Sequence, residues 1–179
     1  MDFVADHEEH VDEIARLFSV TFTASEGADE GVLIGRLALR LMTKTPPEDV
    51  RVLVAWDSGA AVGAIIFSRL TYESDNRLVF VLGPVAVAPD RQNEGIGQRL
   101  IAWGIDLLRQ EGVDIALTYG DPGFYRRVGF RAIAQDEVSA PFPLQHPEGW
   151  LGQSLSGAPI TPIKGPARCV AAFDDPVFW

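Results

Sequence analysis

The stretch Gln92-Asn93-Glu94-Gly95-Ile96-Gly97 decides how this chain is read. It follows an apolar segment, Leu78 to Val87, with the residue types of a strand, and it opens an amphipathic segment, Gly97 to Gln110, with a helical period. Strand, glycine-bearing turn and helix start together build an anion pocket. The first N–H groups of a helix lack internal acceptors, and the helix dipole adds partial positive charge there. Glycines let the backbone bring those N–H groups close to a phosphate. Three loops of this kind are told apart by their residues. A P-loop needs Lys-Ser/Thr after its last glycine, and Gln98-Arg99 stand there instead. A Rossmann loop needs G-x-G-x-x-G; Gly95 and Gly97 supply its first half, but Leu100 occupies the third glycine's place. What remains is Q-x-x-G-x-G, behind a strand that ends in Val85-Ala86-Val87-Ala88-Pro89.

At these residues the chain resembles the GNAT superfamily of N-acetyltransferases, with Gln92, Gly95 and Gly97 matching the acyl-CoA pyrophosphate loop. A second block, Gly120-Asp121-Pro122-Gly123-Phe124-Tyr125-Arg126-Arg127-Val128-Gly129-Phe130, is similar to the family's later motif, a short helix that carries a tyrosine. Two motifs in the right order are far more specific than either alone. The close resemblance covers Leu78 to Arg131; elsewhere it is one of element order. It implies one N-acetyltransferase domain over residues 1–179, of α/β (α+β) class. Its sheet would be mixed and mostly antiparallel, flanked by helices, with central parallel strands that splay at their C-terminal ends. It also implies acetyl-CoA as cosubstrate and transfer of the acetyl group to an amine by direct attack in a ternary complex. The alternative is a GNAT-fold module that binds acyl-CoA without turnover, as a sensor or assembly part.

The resemblance also implies roles for individual residues. Gln92, Asn93, Glu94, Gly95, Ile96, Gly97, Gln98 and Arg99 would cradle the pyrophosphate, with Arg91 and Arg99 adding charge-assisted contacts. Glu94 departs from the family pattern: it either faces solvent and complements the helix N-terminus or weakens CoA binding. Gly83-Pro84 interrupts the preceding strand, which reads either as an edge kink or as the place where the backbone of Val85, Ala86 and Val87 pairs with pantetheine amides and polarises the thioester carbonyl. Phe124 would border the same ligand. Tyr125 would protonate the leaving thiolate, and its plain alternative is an aromatic packed in the core. No carboxylate stands on the strand Val79 to Val85, so no general base is identified; Glu73, Asp75, His146, Glu148 and a relaying water stay open.

Composition narrows the function classes. The chain has 179 residues, a length for one domain, and 47% are hydrophobic, enough for a substantial core. A net charge of −10 makes duplex nucleic acid an unfavourable partner. The resemblance implies a small-molecule or peptide amine as acceptor, no nucleic-acid or membrane partner, and a monomer or homodimer. Cys169 is the one cysteine, so no intrachain disulfide forms, which suits the cytoplasm. Its apolar surroundings, Arg168 to Phe173, argue for a buried structural thiol rather than a nucleophile. No apolar run is long enough to cross a bilayer, and the N-terminus lacks a signal-peptide core. His7, His10 and His146 lack metal-ligand spacing, so no metal is assigned.

Periodicity sets out the remaining elements. Helices are expected over Glu9 to Phe22 and Val32 to Met42, with a polar, glycine-bearing loop from Ala24 to Gly31 between them. Strands follow over Arg51 to Trp56, Ala61 to Tyr72 and Leu78 to Val87 as an antiparallel meander. After the long helix come a strand, Ile115 to Tyr119, a short helix, Phe124 to Val128, and a strand near Phe130 to Ile133. Ser139 to Pro166 reads as a long Pro/Gly-rich loop and Arg168 to Phe173 as a last strand. Acceptor-gripping segments are expected among Phe22 to Gly31, Thr71 to Asn76 and Ser139 to Pro166.

Overall fold

A computed structural model describes all residues, 1–179. It is an α/β fold built on a mixed eight-stranded sheet with neighbours in the order β1-β2-β3-β4-β5-β7-β6: β1 Asp2–Val4, β2 Val50–Asp57, β3 Ala60–Tyr72, β4 Asp75–Val87, β5 Ile115–Tyr119, β6 Arg131–Ala132 and β7 Trp150–Ser154. The eighth strand, β8 Ala167–Arg168, pairs with β3. The helices are α1 Val11–Glu26, α2 Ala28–Lys44, α3 Ile96–Gln110 and the single turn α4 Pro122–Tyr125. The chain divides into two compact units, one of residues 1–67 and 83–104, the other of residues 68–82 and 105–179. Strands β3 and β4 and helix α3 run from one unit into the other.

In the first unit, β1 pairs antiparallel with β2, Phe3 opposite Ala55. A tight turn at Ser58-Gly59 links β2 to β3, and one at Glu73-Ser74, in the second unit, links β3 to β4, as the meander requires. The polar segment Ala24 to Gly31 is not a loop. The helix break is confined to Gly27, whose φ of 101° no ordinary helix residue adopts, and α2 starts at the next residue. Gly31 serves close approach rather than a turn: a Cβ there would collide with Thr23 Oγ1 and the Ser19 carbonyl of α1. Ile14, Leu17 and Phe18 of α1 and Ile34, Leu37, Ala38 and Leu41 of α2 are buried, spaced as one face of each helix.

In the second unit, β4 and β5 run parallel, Val79 opposite Ile115 through Leu82 opposite Thr118. The register stops there, while β4 continues past a cis Gly83-Pro84 bond to Val87. The expected loop Ser139 to Pro166 holds a strand that the Pro/Gly content hides. That strand, β7, lies antiparallel between β5 and β6, with Thr118 opposite Leu151 and Arg131 opposite Gly152. Trp150 at its start is fully buried, and its indole N–H donates to the Val138 carbonyl at 2.8 Å. The last strand is likewise shorter than expected. Only Ala167–Arg168 pairs, after which Ala171–Phe173 forms a 3-10 turn that buries Ala172 and Phe173.

Candidate active site

In the first unit the turn between β4 and α3 begins as a 3-10 turn, Pro89–Arg91. Gln92 is extended, and its amide donates to the Val87 carbonyl at 3.2 Å. Asn93 and Gly95 both have positive φ, 65° and 75°. Asparagine tolerates that region and glycine enters it without cost, so this residue pair lets the chain reverse twice before the helix. The Arg99 N–H reaches the Gly95 carbonyl at 3.1 Å. The N–H groups of Ile96, Gly97 and Gln98 come before that bond, among the orphan donors of a helix start. All eight residues from Gln92 to Arg99 therefore lie on one continuous turn and first helical turn.

Arg91 is committed elsewhere. Its guanidinium donates to both Glu94 oxygens, at 3.0 and 3.1 Å, and to Asp57 Oδ2 at 2.9 Å. Those hydrogen bonds pull the Asp57 and Glu94 carboxyls below their ordinary values and raise the guanidinium. Glu94 thus braces the turn from outside, and its charge is paired. Arg99 is exposed and makes two long contacts, to the Gly95 carbonyl at 3.4 Å and to Met1 Sδ at 3.7 Å. Upstream, the Val87 carbonyl accepts from Gln92 and also from Thr21 Oγ1 at 3.3 Å, which saturates its two lone pairs. Ala86 is buried and Val85 and Val87 are half-buried.

In the second unit, Asp121 caps α4 by accepting from the Gly123 N–H at 2.9 Å, and Pro122 occupies the first helical position. That turn sets Tyr125 edge-on against Phe124 at 5.0 Å and Phe130 at 5.8 Å between ring centroids. Gly120 makes room for the phenol ring: a Cβ there would stand 2.7 Å from Tyr125 Cε2. The Thr118 hydroxyl, on the neighbouring strand β5, donates to the Leu82 carbonyl at 3.0 Å. Burial raises the Tyr125 pKa; the nearby Thr118 hydroxyl pulls it down, and the Asp121 charge adds a smaller upward push. The phenol is neutral at physiological pH, as a proton donor must be.

Gly120 opens the second motif in the sequence, but its role of leaving room for the phenol ring is visible only in the structure. Of the candidate bases, Asp75 is occupied: both its oxygens accept from Arg77, at 2.9 and 2.6 Å. His146 and Glu148 face each other at 3.6 Å and are 75% and 72% exposed. Cys169 is half-buried, and burial pushes its thiol up to about 11, so it is not a thiolate at neutral pH. No helix is long and apolar enough to cross a membrane.

Comparison with known proteins agrees with these features. A family model described as an acetyltransferase (GNAT) domain matches residues 48–132, which include both motifs. The uncharacterized N-acetyltransferase YjhQ of Escherichia coli K12 is 40% identical over 122 residues, an alignment covering 65% of this chain and 67% of that protein. A GNAT family acetyltransferase from Brucella melitensis, crystallised with acetyl-CoA, is 29% identical over 97% of each chain with a TM-score of 0.72. The fold is also that of the GNAT family N-acetyltransferase YhbS from Escherichia coli, solved with CoA, at a TM-score of 0.83 and 20% identity, covering 97% of this chain and 92% of that one. With its diagnostic turn, its tyrosine-bearing helix and these relatives, the chain belongs to the GNAT superfamily of N-acetyltransferases.

Proposed function

We propose that residues 1–179 work as one acetyl-CoA-dependent N-acetyltransferase domain, with the amine attacking the thioester directly. The observation that carries this reading is the Tyr125 phenol, neutral and set by α4 against Phe124 and Phe130 where Gly120 leaves room for its ring. The complexes of the Brucella melitensis and YhbS proteins support acetyl-CoA as the cosubstrate. The pyrophosphate is assigned to the N–H groups at the head of α3 and to Arg99; Gln92, Asn93, Glu94 and Gly95 shape the turn. Backbone groups of Val85 and Ala86 are assigned to the pantetheine arm and the thioester carbonyl, with Val87 continuing the same backbone and Phe124 bordering the ligand. The neutral amine adds to that carbonyl and the C–S bond of the tetrahedral adduct then breaks. Tyr125 gives its proton to the departing sulfur, and water collects the proton that the amine sheds. The acceptor is a small-molecule or peptide amine and the location cytoplasmic, as the single cysteine and acidic composition suggest. The occupied Asp75 favours a second reading, a module that binds acyl-CoA without turnover.

A thermal-shift titration with acetyl-CoA, paired with turnover against an amine panel read as free thiol, separates the two. Wild-type protein is expected to gain melting temperature with acetyl-CoA, because a ligand selective for the folded state stabilises it. Gly97→Glu abolishes the gain by placing a bulky anion among the phosphate donors. Tyr125→Phe keeps the gain but loses turnover by roughly 10²–10⁴-fold. Binding without turnover on any amine would favour the module; a folded Gly97→Glu protein with undiminished binding would remove the pyrophosphate assignment.

A further inference from the structure

Asp57 ends β2, and its place is fixed by the tight turn that follows, where Ser58 and Gly59 both take positive φ, 50° and 82°. It belongs to the same unit as the turn between β4 and α3. In that turn Glu94 lies between Asn93 and Gly95, the two residues of positive φ. Glycine loses more conformational freedom on ordering than any other residue, so this segment is costly to hold in one shape. Arg91 holds it: Nε donates to both Glu94 oxygens, and Nη2 donates to Oε2 at 3.0 Å. That fork is internal to the turn. It keeps the turn's shape without fixing its place on the sheet. The third nitrogen, Nη1, donates to Asp57 Oδ2 at 2.9 Å, across 34 residues of sequence. The Gln92 side chain, by contrast, reaches only Val87, on the strand that leads into the turn. The Arg91–Asp57 bond therefore ties the turn to a second strand, and both side chains are half-buried, 26% and 29% exposed.

We propose that Asp57 is a positioning residue for the acyl donor: through Arg91 it holds the turn in place, and so favours thioesters that carry a diphosphate over the same thioester without one. The inference rests on the assignment of the pyrophosphate to the head of α3. A turn that is already held has less freedom to lose when the ligand arrives, and that difference appears as affinity. Charge alone would act in the opposite direction, because a carboxylate repels a diphosphate. The Asp57 charge is balanced, by the Arg91 guanidinium on Oδ2 and by the Met1 ammonium 3.6 Å from Oδ1. What Asp57 supplies to the turn is a fixed acceptor. The pantetheine arm is assigned to Val85 and Ala86, upstream of the turn, so a donor that ends at pantetheine gains nothing from the tether.

Calorimetry with acetyl-CoA, and displacement of acetyl-CoA by S-acetylpantetheine, test this. Asp57→Ala removes the acceptor and is expected to weaken acetyl-CoA binding roughly three- to tenfold, the effect of losing one hydrogen bond. Binding of S-acetylpantetheine should stay within about twofold of wild type. Asp57→Asn keeps an acceptor oxygen for Arg91 and removes the charge, so it should hold acetyl-CoA within about twofold of wild type. In the Arg91→Met background, Asp57→Ala should cost nothing further, because Asp57 acts only through Arg91. An electrostatic role would instead make both Asp57 variants bind acetyl-CoA more tightly, and a general structural role would weaken both ligands equally; either result overturns the inference. Unchanged acetyl-CoA affinity in Asp57→Ala, with wild-type protein still preferring acetyl-CoA and Gly97→Glu unable to bind it, overturns the Asp57 role alone. Equal wild-type affinity for the two ligands, with undiminished binding by a folded Gly97→Glu protein, overturns the pyrophosphate assignment and the role of Asp57 with it.

Discussion

Gly120→Ala puts the tightest demand on the assignment of Tyr125. The added methyl would stand 2.7 Å from Tyr125 Cε2, whereas ordinary contact begins at 3.4 Å. The ring must retreat by about 0.7 Å, since it is held between Phe124 and Phe130 and cannot simply swing aside. Forcing one methyl into a packed site costs about 1–3 kcal/mol. For a chain of this size that lowers the melting temperature by roughly 2–4 °C per kcal/mol. Activity should suffer more than stability. Misplacing a reacting group by about 1 Å can cost on the order of 10²-fold in rate. The assay measures kcat with free-thiol detection, the acetyl-CoA dissociation constant by calorimetry, and melting temperature. Expected together are a loss of roughly 10²-fold in kcat, an affinity within about twofold, and a modest fall in melting temperature. Gly123→Ala is the control, because its methyl would meet only the exposed Asp121 side chain, 3.3 Å from Oδ1 at the nearest, and should leave kcat near wild type. Wild-type kcat in Gly120→Ala, with the melting temperature lowered as calculated, would show that the placement of the phenol does not matter and would refute the reasoning.

Two further outcomes follow from the charge network. Arg91→Met leaves Glu94 without its ion-pair partner and Asp57 with the Met1 ammonium, 3.6 Å away, in place of the guanidinium, so acetyl-CoA affinity should fall roughly tenfold, about 1.4 kcal/mol; Arg91→Met/Glu94→Gln should recover part of it, and unchanged affinity in the single variant would show that the Arg91–Glu94 pair has no electrostatic effect on the ligand. Asp75 is held below its ordinary value of 3.8, chiefly by its hydrogen bonds with Arg77. A folded-state pKa below the unfolded one stabilises the protein above the unfolded value, and that stability is lost as pH falls through the folded one. Melting temperature should therefore drop as pH falls below about 4, less steeply in Asp75→Asn; identical slopes in the two proteins would remove Asp75 as a contributor.

Some of this molecule was legible in the chain alone because it is local. The step from strand to turn to helix over Leu78 to Gln110 is written in apolar period and in glycine placement, and the boundaries of α3 and β5 match the structure within a residue. Gly95 needs positive φ whatever packs around it. Other features depend on residues distant in sequence, and no local pattern carries them. Strand β7 is flanked by proline and glycine, and it becomes a strand because β5 and β6 offer it ladders on both sides. Residues 24–31 look like a loop because glycine and polar residues are loop residues, yet Gly31 is there to let α1 approach. Glu94 reads as a stray anion until Arg91 and Asp57 are brought beside it. The same holds for the chemistry. A motif marks Tyr125, but only the folded chain sets its ring over Gly120 and edge-on to Phe130, because packing acts across space and not along the backbone.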